Sequence, residues 1–118
     1  MPLILIVDDD RDMLALMAVG LGNAGHESRL ALDAVEARKC LTREAFDLVI
    51  CDILLPGESG RSFGQQLAEK AGHPPILFIS ASDVVPGALP GAFLRKPFQM
   101  EALVAVVREI LKRPRSGG

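Results

Sequence analysis

Tryptophan and tyrosine are absent from this chain, and five phenylalanines are its whole aromatic content. The core must therefore be built from Leu, Ile, Val and Ala, which suits a parallel sheet buried on both faces better than an antiparallel sandwich. Cysteine is scarce as well. Cys40 and Cys51 are too few for a disulfide framework, and Cys51, inside an apolar run, reads as a small reduced core residue. No apolar run nears the ~20 residues that span a bilayer, which argues against membrane insertion. The N-terminus has no basic segment and reaches three consecutive acids from position 8, unlike a signal peptide. An excess of positive charge is missing too: the formal net charge is −2, so no footprint for direct nucleic-acid binding is visible. Only Lys112-Arg113-Pro114-Arg115 is locally basic, and it reads as a solvated chain end. No G-x-G-x-x-G or G-x-x-x-x-G-K-[ST] loop follows any apolar run, which removes the common nucleotide-binding motifs. Together these absences predict a soluble cytoplasmic domain.

What is present is a chain of 118 residues, 49% hydrophobic and 24% charged, enough for one domain with a sizeable core and the opposite of a disordered balance. The run Leu3-Ile4-Leu5-Ile6-Val7 stops at Asp8 and reads as a strand buried on both faces. Met13, Leu16, Met17, Gly20, Leu21 and Ala24 then recur at helical spacing, with Asp9 or Asp10 as N-cap and Gly22 and Gly25 at the end. A short strand over residues 28–31 precedes Asp33-x-x-Glu36, a capping-box pattern opening a helix to about Leu41. Asp47-Leu48-Val49-Ile50-Cys51 is a second buried strand ending at Asp52. After the turn Pro56-Gly57-Glu58-Ser59-Gly60, the pattern predicts a helix over residues 61–71. Pro75-Ile76-Leu77-Phe78-Ile79 ends at Ser80, and Ala92-Phe93-Leu94-Arg95 ends at Lys96-Pro97. A final helix covers residues 99–112, with Met100, Leu103, Val104, Val107 and Leu111 on one stripe.

Strands alternating with helices imply an α/β fold with right-handed crossovers, a doubly wound five-stranded parallel sheet in the order 2-1-3-4-5. Residues 1–113 read as the domain and residues 114–118 as a flexible tail. One connection is unusual. Residues 81–91 contain Pro86, Gly87, Pro90 and Gly91, while a crossover with its helix needs at least about 10–12 residues. Prolines break helix interiors, so the fourth helix is expected to be absent or reduced to about one turn.

In open parallel sheets, ligands sit beyond the carboxyl ends of the strands. There this sequence places Asp8, Asp9, Asp52, Ser80 and Lys96. Three clustered carboxylates repel one another, and a hard cation such as Mg²⁺, which favours carboxylate, carbonyl and water oxygens, relieves that repulsion. A carboxylate can also act as a nucleophile toward phosphorus, with a metal and a lysine neutralising the phosphoryl oxygens. The hydroxyl of Ser80 can donate to such an oxygen.

The motifs Ile6-Val7-Asp8-Asp9-Asp10, Asp52-Ile53-Leu54-Leu55-Pro56-Gly57-x-x-Gly60, Ser80-Ala81 and Lys96-Pro97-Phe98 resemble those of the response-regulator receiver family, over residues 2–112. The resemblance implies that Asp52 is phosphorylated from a phosphohistidine of a sensor histidine kinase or phosphotransfer protein. It implies a Mg²⁺ site made by Asp8, Asp9, Asp52 and the backbone carbonyl of Leu54. It further implies that Lys96 contacts the phosphoryl group, that the Lys96–Pro97 bond is cis, and that Ser80 and Phe93 form a switch altering the binding of a downstream protein partner. Leu54 departs from the family, where polar residues are frequent at this position. The short segment after Ser80 also departs, so a dimer would need a surface other than the family's fourth helix, last strand and last helix. Two other classes compete: a pseudo-receiver acting only as an interaction module, and an aspartyl-phosphate-type phosphohydrolase. The latter carries a second acid where this chain has Leu54. On this reading the chain is a phosphoacceptor regulatory domain rather than an enzyme with a separate substrate.

Overall fold

Alternation along the strands divides the apolar side chains into two cores, one on each face of a single sheet. The structure is a computed structural model that describes residues 1–81 and 89–114. The elements in chain order are β1 (Leu3–Val7), α1 (Arg11–Asn23), β2 (Glu27–Ala31), α2 (Ala34–Arg43), β3 (Leu48–Asp52), α3 (Gly60–Ala68), β4 (Ile76–Ser80), β5 (Ala92–Arg95) and α4 (Met100–Lys112). The five strands are all parallel and ordered β2-β1-β3-β4-β5, the expected doubly wound arrangement.

Leu5, Val7, Val49, Cys51 and Phe78 pack with Ala34, Ala37, Phe63 and Leu67 of α2 and α3 on one face. Ile4, Ile6, Leu48, Ile50, Leu77 and Ile79 pack with Leu14, Met17 and Leu21 of α1 and Leu103, Val107 and Ile110 of α4 on the other. Because β1, β3 and β4 are covered on both faces, their residues are almost all buried. This is why those three runs are continuously apolar in sequence.

The caps follow the local chemistry. Asp10, not Asp9, caps α1, its side chain accepting from the backbone N–H groups of Asp12 and Met13. Asp33 accepts from Glu36 N, but the Glu36 carboxylate reaches Leu32 N instead of closing the box on Asp33. Helix α3 stops at Ala68, earlier than the expected position 71. The N–H groups of Glu69 and Lys70 turn to the carbonyls of Gln66 and Leu67, a tightened last turn. The shortened or missing helix expected between Ser80 and β5 falls on residues 82–88, outside the described residues; the fourth described helix, α4, follows β5. Residues 115–118 of the expected tail also lie outside them. Among the described residues, no helix is long and apolar enough to cross a membrane.

Candidate functional site

The order of the sheet reverses between β1 and β3, and their carboxyl ends open the crevice where ligands bind in such folds. Asp8 follows β1 and is fully buried, its N–H donating to Ala31 O at 3.1 Å. Its Oδ1 accepts from Asp10 N at 2.9 Å, so the residue that caps α1 also orients the acid beside it. Asp9 is exposed. Asp52 is the last residue of β3 and is buried, with Oδ1 accepting from Leu54 N at 2.9 Å.

Lys96 follows β5 and extends the ladder by donating its N–H to Ser80 O at 2.9 Å. Its ammonium Nζ lies 2.8 Å from Asp8 Oδ2 and 2.7 Å from Asp52 Oδ2. The peptide bond from Lys96 to Pro97 is cis. Asp8, Asp52 and Lys96 each stand two residues beyond a side chain of the α1/α4 core: Ile6, Ile50 and Leu94. Strand alternation therefore carries all three functional groups to the same side of the sheet.

Burial raises the Asp52 carboxyl above the usual carboxylate range, although the Lys96 ammonium and the Leu54 N–H favour its charged form. Burial works in the opposite direction on Lys96. Its hydrogen bonds and charge contacts to Asp52 and Asp8 outweigh that, and its pKa is raised. The neighbouring Cys51 thiol is pushed far up, first by burial and then by Asp52 and Asp8, as suits an inert reduced core residue.

Asp8, Asp9 and Asp52 each offer an oxygen, and these atoms all lie within 4.8 Å of one another. The donor set is entirely carboxylate and partly open to water, which fits a hard oxygen-seeking cation such as Mg²⁺. Lys96 occupies one oxygen of Asp8 and one of Asp52, leaving the remaining lone pairs of both carboxylates to accept further partners. The cluster thus unites three carboxylates and a fixed cation, group types that phosphoryl transfer can use.

Ser80 ends β4 fully buried, and Phe93 on β5 is half-buried against the α2/α3 core. Phe93 is in register with Phe78, and Ser80 with Arg95, so Ser80 and Phe93 share one face two register positions apart. Leu54, whose N–H binds Asp52, is 59% exposed.

Two further relationships, involving three residues, could not be read from local sequence. Gly60, in sequence a turn residue and the last position of the motif that begins at Asp52, lies against the backbone of the acid-bearing strand. A Cβ built there would stand 1.9 Å from Asp52 O. Arg38 on α2 and Glu58 in the loop after Asp52 form a bidentate pair that no sequence spacing announces.

The family model for the response regulator receiver domain matches residues 4–108. The transcriptional regulatory protein PrrA of Mycobacterium tuberculosis is 36% identical over 118 residues, a match covering 95% of this chain and 51% of PrrA. The DNA-binding dual master transcriptional regulator RpaA of Synechocystis is 33% identical over 121 residues, covering 96% of this chain and 50% of RpaA. The chain thus spans about half the length of the curated relatives it matches. Among solved structures, the non-phosphorylated HemR receiver domain of Leptospira biflexa superposes with a TM-score of 0.88 at 25% identity, covering 98% of each chain. With a matched family model spanning most of its length and the acidic cluster at the switch point of its sheet, this chain belongs to the response regulator receiver domain family.

Proposed function

We propose that this chain is a phosphorylation-controlled switch whose phosphoacceptor is Asp52. The observation that carries the reading is the Lys96 ammonium bridging Asp8 and Asp52 at 2.8 and 2.7 Å, beside the strand-order reversal. In the reaction an Asp52 carboxylate oxygen forms a bond to phosphorus, and the phosphorus–nitrogen bond of a phosphohistidine on a sensor kinase or phosphotransfer protein breaks. The imidazole leaves. The fold already holds Asp52 at the strand end, with one oxygen on Leu54 N and the other on Lys96. Lys96 is then placed to neutralise negative charge gathering on the phosphoryl oxygens. Asp8, Asp9, Asp52 and the backbone carbonyl of Leu54 would hold Mg²⁺, which supplies charge neutralisation at the transferred group.

Ser80 and Phe93 form the readout. A phosphoryl oxygen at Asp52 draws the Ser80 hydroxyl toward it, and the Phe93 ring repacks on the same face of β4 and β5. The surface around β5 then presents a different shape to a downstream protein. The names of PrrA and RpaA describe transcriptional regulators, and the chain covers only about half of each. The output of this chain is proposed as a protein–protein contact rather than direct nucleic-acid binding, in keeping with its formal net charge of −2.

The experiment is intact mass after incubation with Mg²⁺ and phosphoramidate or acetyl phosphate, comparing wild type with Asp52→Asn. One added phosphoryl group, absent from the variant and lost without Mg²⁺, is the expected result. An adduct that persists in Asp52→Asn would move the acceptor elsewhere, and no adduct under any condition would favour a pseudo-receiver.

A further inference from the structure

The loop that leaves Asp52 is held at both ends. Its ends meet where Gly60 N, at the start of α3, donates to Ile53 O at 2.8 Å, and Gly60 packs on the Asp52 carbonyl with no room for a side chain. Between those ends Glu58 is gripped from α2. Arg38 Nη1 donates to Glu58 Oε1, and Nη2 donates to Glu58 Oε2 at 3.0 Å and to Gln66 Oε1 at 2.8 Å. Ser62 Oγ donates to Glu58 Oε2 at 2.9 Å, and the Arg38 guanidinium lies 5.2 Å from the centre of the Phe63 ring. One arginine therefore ties α2 to the loop and to two successive turns of α3.

We propose that Arg38 is a positioning residue for the Asp52 site, latching the loop that carries Leu54 so that its backbone is presented to Asp52 and to a divalent cation. This rests on the function proposed above. The argument is geometric. Leu54 N is already a partner of Asp52 Oδ1, and only three residues separate Leu54 from Glu58. A displacement at Glu58 is passed along this short stretch, because Gly60 blocks its other end. A planar bidentate guanidinium fixes direction as well as distance, which a lysine at position 38 would not do. The pair is only partly exposed, at 38% for Arg38 and 25% for Glu58. The ring of Phe63 on one side and the Gln66 amide on the other restrict the guanidinium further. Partners that orient a metal site from outside its ligand shell commonly change metal affinity by about tenfold or more when removed.

The test compares wild type, Arg38→Gln, Glu58→Gln and the charge swap Arg38→Glu/Glu58→Arg in the full chain. The readouts are Mg²⁺ titration by calorimetry and the backbone amide resonance of Leu54. We expect Mg²⁺ binding to weaken about tenfold in either single variant. The Leu54 amide should shift in the single variants before any Mg²⁺ is added, while the amide of Leu77 in β4 stays in place. The swap should recover most of the affinity, which a general loss of packing would not allow. If Arg38→Gln does not fold, Glu58→Gln, which keeps the shape of the side chain, carries the comparison. Wild-type Mg²⁺ affinity and an unmoved Leu54 amide in folded single variants would overturn the latch alone. A wild-type chain that binds no Mg²⁺ would overturn the latch together with the function on which it rests.

Discussion

Lys96 Nζ stands 2.7 Å from Asp52 Oδ2 and 2.8 Å from Asp8 Oδ2, although 44 and 88 residues separate it from these partners. Its removal leaves the wholly buried Asp8 side chain without its cation. Lys96→Met is expected to lose about 3 kcal/mol of stability in urea denaturation. Its rate of phosphoryl acceptance from phosphoramidate should fall about 100-fold or more, because a fixed cation at developing charge is lost. A variant as stable and as reactive as wild type would remove Lys96 from the site.

The acid titration of Asp52 gives a second test. Its folded pKa is raised by burial, so the protonated form is the one that folding favours. That contribution is fully present below the ordinary carboxylate pKa and is lost as pH rises through the raised value. Asp52→Asn should therefore gain thermal stability over wild type at neutral pH, and the gain should shrink as pH falls through the carboxylate range. A difference that is constant with pH would contradict this assignment.

Mg²⁺ should act in the opposite sense. Binding to the folded chain alone adds about 2.7 kcal/mol when the free ion is at 100 times its Kd. The rise in Tm with added MgCl₂ should be present in wild type and much reduced in both Asp52→Asn and Asp9→Asn. Equal rises in all three would place the ion elsewhere.

Gly57 in the loop and Gly60 at the start of α3 should behave differently. Gly60→Ala places a methyl group against the Asp52 carbonyl, where backbone must move, at a cost of about 3 kcal/mol or more. Gly57→Ala meets open space and suffers only from its φ of +75°, at about 1 kcal/mol. Chemical denaturation of the two variants checks the order, and Gly60→Ala should also slow phosphoryl acceptance.

Leu54 and Ser80 separate lifetime from readout. Leu54→Asn replaces an exposed apolar residue two positions after Asp52 with one that can hydrogen-bond an attacking water. The aspartyl-phosphate half-life should shorten severalfold; an unchanged half-life would show that the Leu54 side chain does not hinder the attacking water. Ser80→Ala should still accept a phosphoryl group, but the resonance shift of the Phe93 ring on phosphorylation should disappear. A persisting shift would uncouple the two residues.

Much of this was legible in the chain itself. Continuous apolar runs ending in Asp8, Asp52 and Ser80 specify strands buried on both faces, because only such strands exclude polar residues at every position. Their alternation with helical periods dictates a parallel sheet, and the topology of parallel sheets brings strand ends to one edge. Asp33, and Asp9 or Asp10, were readable as caps because a cap bonds within three residues of itself; the structure chose Asp10. The end of α3 was not readable, since its last turn tightens by backbone bonds that no side chain signals.

Composition, periodicity and local capping determined the fold class, the order of the elements and the acids placed at strand ends. Each of these depends on residues near one another along the chain. Tertiary structure alone decided that one ammonium serves both Asp8 and Asp52, and that Ser80 and Phe93 share a face at a spacing of two register positions. It also decided that Gly60 abuts the Asp52 carbonyl and that Arg38 reaches Glu58 across 20 residues. Those relationships are distances across the packed molecule. They arise only when side chains from separate elements are desolvated together, and no periodicity in the sequence encodes them.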